Sequence, residues 1–307
     1  MPIITTIRGN LRPIGKKRGL GLGTTGGTVT IANGYRIHKF TTIGTSTFTP
    51  DTSGLIEVII VGGGASGGVD CGGGGGAGGL IDTTIEVTAQ NYSIVVGAGG
   101  QSRPGSADDG PGYNGFNSSA FNLIALGGGA GTGWTNGGTP IGGSNPGTMN
   151  GGSGGGQSTS GPLTGSVNSQ GRGIAAQPGS ASGGYGFNGG FATPGYAGGG
   201  GGAGGAGGNG TNGKAGDGGE GYFLNGRFGP GVGVNDYLAG GGAGGYDHVQ
   251  GLRSSAVFTR NGTTKQLTET GENNCPDNTG AGGNGANHDN ENSGAGGSGI
   301  VLIRYPI

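Results

Sequence analysis

The chain is short of the material from which most cores are built. Apolar residues make up 30% of its 307 positions and charged residues 10%, against about 45–50% and 25% in ordinary globular domains. A conventional oil-drop core of this length cannot be assembled from that supply. No apolar run reaches the roughly 18 residues of a membrane span, and no h-region of about 7–15 apolar residues opens the chain, so neither a span nor a secretory leader is expected. Cysteine is nearly absent: Cys71 and Cys275 are the only two. A disulfide-stapled scaffold is therefore excluded, and two thiols are a simpler expectation than one bridge closing a very long loop. The net charge of −1 supplies no global field for nucleic acid or an anionic membrane, and no partner of either kind is expected.

Recognisable reaction chemistry is missing as well. His38, His248 and His288 have no companion at metal-ligand spacing, Asp70-Cys71 has no second sulfur or imidazole near it, and His288-Asp289 and Asp108-Asp109 read as solvated loop residues. Residues 58–67, VIIVGGGASG, imitate the strand and G-x-G-x-x-G turn of a dinucleotide site, with Glu86 as the acidic residue further on. That motif requires a following helix whose N-terminus holds the pyrophosphate. Nine of the fifteen residues 65–79 are glycine, which would cost about 7–9 kcal/mol against alanine in a helix. No enzyme, cofactor or metal site is expected.

What the chain has is glycine, 90 residues of it. Such a composition belongs to disorder, to collagen, or to a backbone lattice that side chains would obstruct. Residues 195–221 repeat glycine every third position, and the repeat contains none of the 13 prolines, which argues against collagen. A period of three is the repeat of the polyproline-II conformation, which has no internal hydrogen bonds and turns every N–H and C=O outward. Neighbouring helices of this kind must bond to one another, and only glycine lets their backbones approach. The core would then be backbone. If residues 195–221 form one such helix, Thr211, Lys214, Asp217 and Glu220 line a single polar edge.

Strand signals bracket the glycine. Residues 28–31 alternate polar and apolar, Asn33-Gly34 is a two-residue hairpin turn, and residues 35–43 resume as a second strand. Further strands are expected at 55–61, 80–88, 92–96, 121–126 and 300–305, with Gln90-Asn91 as the turn joining 80–88 to 92–96. The continuous apolar runs at 59–61, 94–96 and 300–303 suggest burial on both faces. The fold class expected is all-β plus irregular: a small β-sheet joining both termini, a lattice of packed polyglycine-II helices over about residues 97–299, and essentially no α-helix. Residues 1–25 read as an extended basic arm, carrying Arg8, Arg12, Lys16, Lys17 and Arg18 with no acid before Asp51. Residues 26–307 read as one glycine-rich domain.

The order GYRIHKFT, a strand ending in VGGG, CGGGGGAGGL, SIVVGAGG, irregular glycine-rich loops and a closing GAGGSGIVLIRY resembles the glycine-rich domain of tail-fibre and other virion proteins of tailed bacteriophages. The likeness spans about residues 26–305. More loosely the chain resembles the tail-fibre-tip adhesins of T-even-like phages, in which a polyglycine-II sandwich carries variable host-recognition loops; it departs from them in having strands at both ends and only short pure-glycine runs. The resemblance implies a virion component exposed to the extracellular medium, with other virion proteins and a host cell-surface glycan or outer-membrane protein as partners, and a homo-oligomer such as a trimer. Candidate loops are 101–117, 133–150, 157–182, 187–196, 222–238 and 246–292. Their aromatics Trp134, Tyr185, Phe187, Phe191, Tyr222, Phe223, Phe228 and Tyr237 are the candidate host contacts, since exposed rings stack on sugars or protein surfaces; the alternative role is to shield the lattice from water. Docking into the virion falls to Arg8, Arg12, Lys16, Lys17 and Arg18. A non-adhesive capsid decoration or fibre shaft is the competing function, and ice binding would need flatter threonine faces than the mixed edge at 211–220.

Overall fold

The computed structural model describes residues 20–105, 110–133, 149–159, 172–246, 257–260, 263–266, 274–287 and 291–307. Trp134 and the five basic residues of the arm lie outside them. The strands are β1 (Thr28–Ala32), β2 (Tyr35–Phe40), β3 (Gly44–Phe48), β4 (Gly54–Val61), β5 (Leu80–Val87), β6 (Tyr92–Val96), β7 (Ser118–Ala120) and β8 (Leu123–Ala125). They continue with β9 (Tyr222–Phe223), β10 (Tyr237–Leu238), β11 (Val257–Arg260), β12 (Thr263–Gln266) and β13 (Ile300–Pro306). All pairings between these strands are antiparallel, and no helix occurs among the described residues.

The strands form a sandwich rather than one small sheet. The first sheet runs β1-β2-β13-β4-β5 and the second β3-β6-β7-β8. Phe40, Ile56, Val58, Ile60, Val301 and Ile303 of the first sheet meet Phe48, Ile94 and Val96 of the second in one buried cluster. The opposite face of the first sheet, with Ile37, Ile59, Val61 and Leu302, is covered by Leu224, Phe228 and Leu238. The runs at 59–61 and 300–303 are therefore buried on both faces, as their unbroken apolarity predicts. The run at 94–96 is not: Val95 is half-buried, and among the described residues no buried apolar cluster lies on the outer face of the second sheet.

Three expectations about strands need correction. The second strand stops at Phe40, and the chain crosses to the other sheet as β3, entering through Gly44 at φ 103°. Residues 121–126 are half of a hairpin, with Phe121 and Asn122 at positive φ in its turn. β5 and β6 do not pair with each other; Gln90-Asn91 lies in a connection between the two sheets. In each case a turn falls where the local sequence is still β-prone, and packing decides.

The central strands lead straight into the glycine. β4 continues as residues 62–69, Asp70 and Cys71 turn at φ 55° and 53°, and residues 72–79 return into β5. Along 72–79 the N–H donors address three neighbours in rotation. Gly72, Gly75 and Gly78 bond Ala286, Gly283 and Gly280; Gly73, Gly76 and Gly79 bond Thr132, Gly129 and Leu126; Gly74 and Ala77 bond Gly198 and Gly201. The carbonyls of the same segment accept from three further segments: 62–68, 153–156 and 242–245. Six neighbours around one threefold-periodic chain is a hexagonal polyglycine-II packing, the backbone core that the period of three suggests. Segments 62–69 and 196–204 are likewise bonded on six sides. A Cβ on Gly73 would sit inside the radius of the Gly156 carbonyl oxygen.

The triplet repeat at 195–221 is not one helix. It folds into three segments, turning between Gly202 and Gly205 and again between Thr211 and Lys214, where Gly213 takes φ 92°. A three-residue period is blind to reversals made by glycine itself. Lys214, Asp217 and Glu220 do share the last segment, and Lys214 Nζ lies 2.6 Å from Asp217 Oδ2; Thr211 belongs to the segment before. The lattice also absorbs parts of the expected loops, namely 110–117, 172–177, 187–193 and 279–287, while 222–238 stays a loop in the ordinary sense.

Candidate interaction surface

Polyglycine-II segments present side chains only outward, so a large residue on an outer segment is exposed unless something else covers it. Tyr185, Phe187 and Phe191 occupy segment 185–193 and are 42%, 42% and 45% exposed. The adjacent segment carries Ile174, 49% exposed. The two segments are joined by the Gly189 N–H on the Gly173 carbonyl and the Ala175 N–H on Asn188 Oδ1 at 2.8 Å. Arg172 lies with its guanidinium carbon 4.5 Å from the centroid of Phe191, a cation–π arrangement. The result is an aromatic ledge on a backbone that cannot flex without breaking hydrogen bonds on several sides.

Tyr185 connects this ledge to a charged cluster. Its ring packs against Tyr222 at 5.0 Å, and the Tyr222 hydroxyl donates to Asp82 Oδ2 at 2.7 Å. Asp82 also takes the Arg227 guanidinium, while Arg304 bonds Glu57 Oε2 at 2.7 and 3.0 Å and the Arg227 carbonyl at 2.6 Å. Burial, reinforced by the hydrogen bond and charge of Asp82, raises the Tyr222 pKa far above the ordinary phenol value. Burial alone would lower the Arg227 pKa, but Asp82 outweighs it and raises the value. Two carboxylates against two guanidiniums clamp loop 222–238 onto the first sheet. The arrangement is charge-neutral and anchoring.

The clamp decides the fate of the remaining expected contacts. Phe228 is fully buried under the loop and Tyr237 is 5% exposed, so these two are core residues rather than surface aromatics. Leu224, Phe228, Val232 and Leu238 of the loop pack on the second face of the first sheet beside Ala77 and Ala203 of the lattice, while Tyr237 packs with Ala281 in a separate buried cluster. Tyr222 and Phe223 are half-buried, Phe223 against the Tyr237 ring at 4.9 Å. Sequence reasoning missed Ile174 and Phe116, 49% and 41% exposed. Their signal is plain in retrospect: each is a single large apolar residue set among small ones on a glycine segment. Phe116, Ile43, Val95 and Leu126 line a groove of about 810 Å³ where the sandwich meets the lattice, with no charged residue in its wall.

Residues 62–67 of the dinucleotide-like run enter the lattice instead of a helix. Cys71 and Cys275 are thiols, not a disulfide; the Cys275 thiol donates to the Gly282 carbonyl at 2.9 Å, and burial pushes its pKa up to about 12.

An antiparallel sandwich whose central strands run on into a hexagonal glycine lattice defines a class of protein in which packed backbone extends a small apolar core. Within that class, the family model of the glycine-rich domain matches residues 41–306, and the chain belongs to this family. None of the curated proteins matches it in sequence.

Proposed function

We propose that the chain is a non-enzymatic structural protein of a bacteriophage virion, a tail-fibre or adhesin component that contacts the host cell surface through its aromatic ledge. The observation that carries this reading is the exposure of Tyr185, Phe187 and Phe191 together on one rigid outer segment. Exposed apolar surface of this kind is characteristic of a contact site, and recognition tends to sit on rigid scaffolds. The ring faces suit a glycan or a protein surface. The reading locates the chain in the virion, exposed to the medium, with other virion proteins and a host surface molecule as partners.

The test is binding of labelled protein to a panel of bacterial strains, compared with F187A/F191A. Loss of binding in the double variant, with the melting temperature unchanged, supports the reading. Binding that survives removal of both rings refutes the ledge as the contact. Absence of binding to every strain, together with labelling of the capsid or fibre shaft by antibody in electron micrographs, would favour a non-adhesive virion component docked through Arg8, Arg12, Lys16, Lys17 and Arg18.

A further inference from the structure

Strand β1 is an unguarded edge. Among the described residues its only partner is β2, and four of its five residues are exposed, Val29 at 38% and Ile31 at 67%. Edge strands in soluble proteins are normally protected by charge, proline, a bulge or a covering segment, because their unpaired N–H and C=O groups template pairing with another strand. The sequence Thr28-Val29-Thr30-Ile31-Ala32 contains no charge and no proline, and its pairing with β2 runs without a bulge.

The geometry also states which backbone groups are unpaired. Asn33 and Gly34 turn at φ 53° and 77°, the positive pair of a two-residue type I′ hairpin. Ala32 and Tyr35 flank that turn, so they form the hydrogen-bonded pair closing it, and the alternation of an antiparallel ladder then directs Thr30 and Thr28 toward β2 as well. Val29 and Ile31 direct their N–H and C=O away, to the free edge.

We propose that this edge pairs with β1 of a second copy of the chain across a twofold axis through Thr30. In that register Val29 of one copy faces Ile31 of the other, twice, and these are the residues whose backbone groups point outward, so both pairs exchange both hydrogen bonds. Thr30 faces its own symmetry mate as a non-hydrogen-bonded pair, and Thr28 faces Ala32. Shifting the register so that Val29 or Ile31 faces itself forms only one such pair from the free groups of the strand. Side-chain chemistry agrees with the central register. The aliphatic β-branched residues meet on one face, threonines meet on the other, and no like charges are opposed. The strand is close to symmetric about Thr30, with an aliphatic β-branched residue on either side and a small residue at each end, which argues for a second copy over an unrelated strand. The contact is isologous and closes as a dimer; a threefold axis cannot pair an edge with itself. The two five-stranded sheets become one continuous sheet of ten strands.

The register predicts a covalent trap. Non-hydrogen-bonded antiparallel partners have Cα atoms about 4.5 Å apart, inside the range of about 4.4–6.8 Å that a disulfide spans. T30C should therefore form a disulfide-linked dimer on mild oxidation, seen on a non-reducing gel, while the wild type with its native thiols does not. Light scattering should give a dimer for the wild type and a monomer for I31K, whose circular dichroism spectrum should stay that of the folded chain because residue 31 faces solvent in the single chain. A monomeric or trimeric wild type overturns the proposal. So does a dimer that persists in I31K, or one in which T30C fails to cross-link.

Discussion

His38 of β2 and Tyr305 of β13 are bonded inside the sandwich, with His38 Nε2 3.0 Å from the Tyr305 hydroxyl. The other ring nitrogen, Nδ1, is 2.7 Å from the Gly26 carbonyl oxygen. A carbonyl can only accept, so Nδ1 carries the proton, and Nε2 of the neutral ring accepts from the tyrosine. The imidazole is fully buried and packs edge-on to Phe48. One neutral histidine thus ties the segment before β1 to the closing strand of the sheet.

This arrangement predicts an acid-sensitive fold. Burial, with the nearby Arg36 charge, lowers the His38 pKa below its ordinary 6.5 in spite of the Gly26 hydrogen bond. Between the lowered folded value and 6.5 the unfolded chain binds more protons than the folded one, so stability rises with pH in that window. The contribution of His38 is complete above 6.5 and declines as pH falls below it, at no more than about 1.4 kcal/mol per pH unit. Chemical denaturation between pH 7 and 5, within about a unit or two of that 6.5, should show this slope in the wild type and a flatter one in His38→Gln. An equal slope in both would remove His38 as the cause.

Tyr222 predicts the opposite behaviour at alkaline pH. Its pKa is raised by burial and by Asp82, so it holds its proton where an unfolded tyrosine, near 10, has lost it. The folded state binds the extra proton, and stability falls as pH rises through 10. Absorbance titration at alkaline pH should show Tyr222 contributing a late ionisation step among the nine tyrosines, beside that of Tyr305, whose pKa burial also raises. Tyr222→Phe should remove that late step and the associated loss of stability.

The lattice predicts a sharp contrast between a glycine packed inside it and one at its exposed margin. A Cβ on Gly75, in the segment bonded on six sides, would collide with the Ala65 carbonyl oxygen. A Cβ on Gly179 would have its nearest neighbour, the Ala176 carbonyl oxygen, at 3.9 Å, and that residue is exposed with no positive φ. Gly75→Ala should cost at least about 3 kcal/mol, the upper end for overpacking. Gly179→Ala should gain about 0.4–1 kcal/mol by stiffening the unfolded chain. Melting temperatures of the two variants test the pair; equal effects would mean that the glycine-rich region is not packed as a backbone core.

The strands around 28–40, 54–61, 80–87 and 300–306 are readable from the sequence because apolar periodicity and the Asn33-Gly34 turn are local signals. The lattice is readable as a kind of structure, since ninety glycines and a three-residue period leave few alternatives. Its layout is not. Which segment lies beside which is decided by hydrogen bonds between residues such as Gly64 and Gly297, or Gly74 and Gly198, and glycine carries no side chain to record the partner. The same indifference hides the reversals at 202–205 and 211–214. The ledge is half legible: Tyr185, Phe187 and Phe191 stand out as aromatics, but only the clamp of Asp82, Arg227, Glu57 and Arg304 explains why Phe228 is buried while they are exposed.

One record of the layout does exist, in asparagine. Where a lattice segment has no backbone neighbour on one side, an asparagine oxygen accepts its N–H in place of a carbonyl. Asn117 serves Gly127 and Asn114 serves Ala130, at 2.8 and 3.1 Å; Asn284 serves Ala243 and Asn287 serves Tyr246, at 2.9 and 3.2 Å. Both pairs are spaced by three, the period of the helix they cap, so N-x-x-N in glycine-rich sequence marks an outer segment. Each cap satisfies a donor that would otherwise be orphaned at a partly buried edge, a loss of about 1–3 kcal/mol. Asn284→Ala should therefore destabilise by about 1–2 kcal/mol, while Asn284→Asp, which keeps the accepting oxygen, should cost well under half as much. Hydrogen exchange at the Ala243 amide separates this from a loss of side-chain packing. That amide should exchange faster in the alanine variant and stay protected in the aspartate variant, and equal protection in both would show that the asparagine oxygen does not hold the edge.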